Sequence, residues 1–301
     1  MFILPAQKLL KEEICFSSLR EDQARLWHFR YGHLSFNGFK TLQQKRMMNG
    51  LPQFQAPSKV WRLLGRKTTK RSIFQKRAHG GLLRFFNWCM PTSVDQSIPL
   101  QIARKGTWSL SLMIFSRKTW VYFLVEKSEA FITFKNYKSQ VEKETGSYIR
   151  CLRTDCGGVF TSHKFTDFCK ENGMRRQLTT AYTPQQNGVA ERKNRTIMNM
   201  VRSMLLGRKF PKTFWPKAIN WTTYVLNRSP TLVVKDMTPE EAWSRSKPWV
   251  DHFRVFGCIS HVHIPDSKRT KLDDKSVKCV LLGVSEELKA YIDCMIQSLR
   301  R

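Results

Sequence analysis

A layered α/β fold is predicted for the centre of this 301-residue chain, and three observations predict it. Runs of strand length alternate with helical apolar stripes between residues 116 and 226. Stop and start signals fall between them, with Gly146 and Gly173 after two helical stripes and Thr183-Pro184 before a third. With 41% hydrophobic and 12% aromatic residues, the chain has the composition and length to bury a real core.

The elements follow in order. Residues 1–60 form a first, small helical region. In it Leu26-Trp27-His28-Phe29-Arg30-Tyr31-Gly32-His33 sets two histidines five positions apart. An amphipathic stretch with Phe39, Leu42 and Met47 follows and ends at Asn49-Gly50. Residues 61–115 differ in texture, since neither helical nor strand periodicity is sustained there. Order returns at Ser116. Thr119-Trp120-Val121-Tyr122-Phe123-Leu124-Val125 reads as a buried strand. Ser128 is placed to cap a helix carrying Phe131, Phe134, Tyr137 and Val141, stopped by Gly146. Tyr148 to Leu152 reads as a strand with Asp155 just past its end. Phe165 and Phe168 mark a short helix closed by Gly173, and Met174 to Thr179 is a weak strand. Thr183-Pro184 opens a helix with Ile197, Val201 and Leu205 in one stripe and Arg192, Lys193, Arg195 and Arg202 mostly off it. A further helix covers Phe214 to Leu226. The core is bounded at 116–230. Residues 231–301, with strand candidates at Arg254 to Ser260 and Val277 to Gly283, read as a small, mostly β appendage.

Charge narrows the partners. A net charge of +29 and a pI near 10.2 point to a polyanion, above all nucleic acid, with a basic protein of another class such as a ribosomal component as the alternative. No run approaches the roughly 18 apolar residues that span a bilayer, and Met1 to Pro5 lacks the features of a signal peptide, so no membrane partner is expected. Eight scattered cysteines without a CxxC pair give neither a disulfide framework nor a complete zinc knuckle. An intracellular, reducing location is the expectation.

Within that basic background, Asp155 and Glu191 are the acids that carry chemistry. They are separated by thirty-five residues and lie on different elements. A short aspartate at a strand end and a longer glutamate on a helix above it suit Mg2+ or Mn2+ held against phosphate. Two such ions about 4 Å apart activate the attacking oxygen and stabilise the leaving one. Lys193 and Arg195 lie nearby on the same helix, as candidates for DNA phosphates. The competing reading makes both acids surface charges that offset Arg153 and Arg192. His28 and His33 suit half of a zinc site, which needs two further Cys or His ligands; their competing reading is a pair of half-buried histidines beside Trp27 and Tyr31.

The wording around these residues resembles copia-type retrotransposon integrases. The resemblance rests on Leu152-Arg153-Thr154-Asp155-Cys156-Gly157-Gly158, on Tyr182 through Gln186, Asn187 and Gly188 to Glu191-Arg192, and on Leu26 to His33. Val255-Phe256-Gly257-Cys258 and Lys271-Leu272-Asp273 extend it into the tail, so that it covers about 1–60 and 116–291. It implies a ribonuclease H-like integrase core, a mixed sheet flanked by helices, preceded by a zinc-binding pre-integrase region and cut from a polyprotein. It further implies end processing and strand transfer of retroelement DNA with Mg2+ or Mn2+, nuclear action and homo-oligomer assembly. Asp155 and Glu191 would be catalytic metal ligands, His28 and His33 the zinc half-site, and Gln186, Asn187, Arg192, Lys193 and Arg195 DNA contacts.

Three departures qualify this. The family's CxxC after the histidines is absent, with Val60-Trp61-Arg62-Leu63 in its place. The family's first catalytic aspartate, in a His-x-Asp-x-x-Gly-Pro setting, is absent too. Cys156 and Val159 replace the usual Arg and Glu beside the second aspartate. The first two losses fall in or at the edge of 61–115, where ten Lys or Arg face one acid, Asp95, and so contribute +9 of the +29. One cause accounts for both, namely translation of this window out of frame. Read two nucleotides in, permitted codons for Trp88 through Gln96 spell Val-His-Ala-Asp-Ile-Cys-Gly-Pro. Those for Leu112 to Phe115 similarly conceal Ile-Asp-Asp-Phe, and near Trp61 to Gly65 shifted codons, there read one nucleotide in, recover a zinc cysteine in Gly-Asp-Cys-Leu-Val. Ile292 to Ile296 similarly conceal Arg-Leu-Tyr-Asp-Pro. Asp95, in Ser93-Val94-Asp95-Gln96-Ser97, is a poor substitute because its setting is not a strand and a metal site tolerates little misplacement. The expectation is therefore a catalytically impaired integrase with an incompletely paired sheet. The alternatives are a non-enzymatic nucleic-acid-binding remnant and a pseudogene product.

Overall fold

The computed structural model describes residues 4–5, 23–53, 107–112, 116–124, 126–154, 162–178, 188–207, 210–211, 214–285 and 290–297. Most of the 61–115 window, Asp95 and the Thr183-Pro184 helix start lie outside these residues. The architecture is mixed α/β.

The chain begins with strand β1 (Leu4–Pro5), then helices α1 (Gln23–Arg30) and α2 (Phe36–Gln44). Ser35 caps α2 by accepting from the Gly38 N–H, and Phe39 and Leu42 face inward. The helix stops short of Met47 because Arg46 takes a left-handed φ of 48°. That turn tucks Met47 back into the core, where its N–H reaches the Leu42 carbonyl.

Strands β2 (Thr107–Leu112) and β3 (Thr119–Leu124) pair antiparallel. Helix α3 (Ala130–Thr145) follows, ended by left-handed Gly146 as expected. Ser128 does not cap it. A 3-10 turn, Lys127–Glu129, precedes the helix, and the Ser128 hydroxyl donates to Glu126 instead. Strand β4 (Cys151–Thr154) starts three residues later than the sequence suggests. The Ile149 N–H is taken by the Glu142 carboxylate at 2.8 Å, and Tyr148 is exposed, so neither joins a ladder. Helix α4 (His163–Glu171) is capped by Ser162 and buries Phe165 and Cys169. Strand β5 (Arg175–Leu178) then returns parallel to β4.

Helices α5 (Gly188–Gly207), α6 (Trp215–Asn227) and α7 (Pro239–Ser244) come next, followed by strands β6 (Ile259–His263), β7 (Ser276–Ser285) and β8 (Ala290–Gln297). The strand expected from Arg254 begins only at Ile259. Val255 and Phe256 are both buried, which alternation cannot produce, because the chain turns at Gly257 with φ 78°. A Cβ there would come within 2.5 Å of the Phe210 ring, so the close approach requires glycine.

The chain divides into two compact units. The first comprises Met1–Thr69, Met198–Val225 and Trp249–Arg301. It contains a four-stranded sheet in the order β1-β8-β7-β6 and an aromatic core in which Phe253 meets Tyr31, Trp221 and Tyr224. The second comprises Lys70–Ile197 and Leu226–Pro248. Its core joins Leu124, Phe134, Tyr137, Val141, Leu152 and Phe165, and Asn227 clamps the start of β3 with two hydrogen bonds to the Thr119 backbone. Among the described residues its strands form two separate pairs, β2–β3 and β4–β5, rather than one sheet. The strand Thr107–Leu112 lies inside the 61–115 window, where no sustained strand periodicity was expected.

Candidate active site and histidine pair

Strand β4 ends at Thr154, which directly precedes Asp155 in the sequence. Asp155, Gln186 and Asn187 themselves lie outside the described residues. Glu191 occupies the first turn of α5 and is half-buried. A carboxylate there is favoured by the partial positive charge of the helix start.

The basic residues that follow divide by environment. Arg192 and Arg195, three positions apart, are both exposed on the same side of α5. Lys193 is half-buried. Burial, and then the neighbouring Arg117 charge, pull its ammonium down to about 8. Its surroundings therefore differ from those of the two solvated arginines. The stripe read from sequence is present, with Ile197, Val201 and Leu205 all buried.

Sequence reasoning missed two polar groups. Asn194 is 2% exposed and Thr154 is 1% exposed. Neither the Asn194 Oδ1 nor the Thr154 Oγ1 has a hydrogen-bond partner among the described residues. Each adjoins a candidate acid, Thr154 directly before Asp155 and Asn194 one helical turn beyond Glu191. The signal was available for Asn194, which falls three positions before Ile197 and so on the buried stripe.

In the first unit the structure brings His28 and His33 together. Gly32 (φ 56°) and His33 (φ 72°) are both left-handed, and the His33 N–H closes onto the His28 carbonyl. That turn sets the His28 Nε2 3.1 Å from the His33 Nδ1. The His28 Nδ1 lies 2.8 Å from the Leu34 carbonyl, so it carries the proton and leaves Nε2 as the acceptor. Burial is the main cause that lowers the His28 pKa and keeps the ring neutral. Converging ring nitrogens with a backbone carbonyl behind one ring suit half of a zinc site, once zinc replaces the proton shared between them. No third His, Cys, Asp or Glu joins them among the described residues.

Comparison with known proteins gives this arrangement its context. Residues 1–60 match the GAG-pre-integrase domain, and residues 258–293 match the retroviral polymerase SH3-like domain. The chain is 36% identical over 286 residues to the retrovirus-related Pol polyprotein from transposon TNT 1-94 of Nicotiana tabacum, covering 93% of this chain and 21% of that protein. It is 31% identical over 214 residues to the Pol polyprotein from transposon RE2 of Arabidopsis thaliana, covering 67% and 15%. The HTLV-2 integrase catalytic core domain, solved with magnesium in a trimeric form, is similar at a TM-score of 0.39 and 20% identity, covering 52% of this chain and 99% of that one. The chain is thus a homologue of the retrovirus-related Pol polyproteins of copia-type transposons. It spans about a fifth of the length of those polyproteins, or less.

Proposed function

We propose that this chain is the pre-integrase and integrase portion of a transposon Pol polyprotein, built for DNA integration by end processing and strand transfer but catalytically impaired. The single observation that carries the reading is the match to the transposon TNT 1-94 Pol polyprotein over 93% of the chain, in a sequence that lacks the first aspartate's motif. On this reading the core is ribonuclease H-like. Asp155 and Glu191 are hard oxygen donors suited to Mg2+ or Mn2+, which when bound would neutralise phosphate charge. Two carboxylates without a third leave the metals under-held. Arg192 and Arg195 offer exposed guanidinium groups to phosphates, Gln186, Asn187 and Lys193 complete the DNA contacts, and the protein acts in the nucleus as a homo-oligomer.

A second reading, a non-enzymatic DNA-binding remnant, is favoured by the charge. Without the 61–115 window the chain still carries +20.

The test uses DNA carrying retroelement ends, with magnesium, and compares the parent with Asp155→Asn and Glu191→Gln. The expected result is salt-sensitive DNA binding by all three and no strand transfer by any. Strand transfer by the parent that both variants lose would contradict the impairment. Absence of DNA binding by the parent would contradict both readings.

A further inference from the structure

Strands β4 and β5 carry four arginines, with Arg150 and Arg153 beside or on one and Arg175 and Arg176 on the other. No acid stands among residues 148–154 or 172–178. The parallel ladder fixes which face each side chain takes. Cys151 lies opposite Arg175 and Arg153 opposite Gln177, so these four residues share one face. Leu152, Thr154, Arg176 and Leu178 share the other. That second face is turned to α4, where the Arg176 Nη1 donates to the Thr166 hydroxyl at 2.7 Å and the guanidinium lies 5.3 Å from the Phe165 ring. The first face is the open one, with Arg175 and Gln177 exposed and Arg153 half-buried. Arg153 and Arg175 are diagonal neighbours in the ladder, about 7–8 Å apart and within mutual reach of long side chains. Burial raises the pKa of the Cys151 thiol, and a hydrogen bond and the charge from Arg175 oppose that rise, in keeping with an Arg175 side chain that lies over this face. Among the described residues no carboxylate pairs with Arg153.

Packing does not account for arginine at both positions of the open face, and like charges on neighbouring strands repel. A polyanion laid across the face removes that repulsion. Guanidinium forks match phosphate oxygens bidentately, and the Gln177 amide, next to both arginines on the same face, adds a neutral donor. In a chain of net charge +29 the complementary partner is a nucleic-acid backbone. We infer that Arg153, Arg175 and Gln177 form a phosphodiester-binding face on the β4–β5 pair, a nucleic-acid contact additional to the exposed arginines of α5. The inference rests on the reading that the chain binds nucleic acid and adds a second element that touches the backbone.

The experiment measures the affinity of the full chain for duplex DNA, and for one of its strands alone, as salt is varied. It compares the parent with Arg153→Gln, Arg175→Gln, the pair, and Arg176→Gln on the opposite face, and thermal melting follows the fold of each. Arg153→Gln and Arg175→Gln are each expected to flatten the log–log salt slope by about 0.9 on duplex and about 0.7 on the single strand, and the pair by about twice that. The loss is expected to be uniform across DNA sequences, because phosphate contacts carry no base information. Arg176→Gln is expected to lower the melting temperature and leave the slope unchanged. Because Arg175 is exposed, its variant remains readable if Arg153→Gln fails to fold. Gln177→Glu, also at an exposed position, is expected to weaken binding most at low salt. Unchanged slopes in folded variants that still bind DNA would overturn this inference and leave the proposed function standing. An equal slope loss from Arg176→Gln would overturn it too, since the effect would then follow total charge and not the face. A parent that binds no DNA would remove both readings.

Discussion

Phe253→Ala is expected to destabilise the first unit by about 3–5 kcal/mol, the range for deleting a fully buried aromatic ring. Phe253 is completely buried, and its ring centroid lies 4.9 Å from Tyr31, 5.4 Å from Trp221 and 5.7 Å from Tyr224. Tyr31 follows the end of α1 and Trp221 and Tyr224 lie on α6, while Phe253 itself stands in the turn before β6, so its ring ties together three separated segments of the unit. The neighbouring rings of Trp221, Tyr31 and Tyr224 are too large to collapse into the space left behind, which places the cost in the upper part of the range. Urea unfolding followed by tryptophan fluorescence measures it through Trp27 and Trp221. Trp249→Ala, at a largely exposed aromatic of the same unit, is expected to change stability by no more than about 0.5 kcal/mol.

Asn227→Ala carries the second large effect, in the other unit. The Asn227 amide receives the Thr119 N–H at 2.9 Å and donates to the Thr119 carbonyl at 2.8 Å. Thr119 is 1% exposed and Asn227 6% exposed, so water cannot replace either bond. Truncation strands a buried donor and a buried acceptor at the first residue of β3, at a cost of about 2–4 kcal/mol. Asn227→Asp separates the two bonds. An aspartate can still accept from the N–H but sets a carboxylate against the Thr119 carbonyl, so it too is expected to destabilise. Thermal unfolding of both variants checks this, and a melting temperature equal to the parent's in both would show that the clamp contributes nothing.

How much of this was legible in the sequence depended on whether local patterning or a distant partner decided each element. The α5 stripe of Ile197, Val201 and Leu205 was legible because a helix of 20 residues repeats its period several times. The stop at Gly146 was legible because a left-handed residue is a local requirement. The false cap at Ser128 was not, since its hydroxyl goes to Glu126 and a 3-10 turn takes over the entry to the helix. The strand at Arg254 failed for a tertiary reason, because Val255 and Phe256 are both drawn inward by the turn at Gly257 against Phe210. The late start of β4 depended on Glu142, seven residues back, capturing the Ile149 N–H.

The candidate site divides the same way. The His28–His33 pairing followed from a spacing that a left-handed Gly32-His33 turn closes, and both histidines are found together. The setting of Glu191 on a helix start was likewise local. The environment of Lys193 was not, because its burial beside Arg117 depends on a residue far away in sequence.

We propose that this chain lost the first metal-holding carboxylate of an integrase-like ancestor when residues 61–115 fell out of frame. Reading the encoding DNA tests it most directly. The account predicts that, two nucleotides into the codons for Trp88 through Gln96, the DNA spells Val-His-Ala-Asp-Ile-Cys-Gly-Pro, with the aspartate codon straddling Pro91 and Thr92. Codons for those residues that spell no aspartate in the shifted frame would contradict it, and the missing carboxylate would then be true divergence.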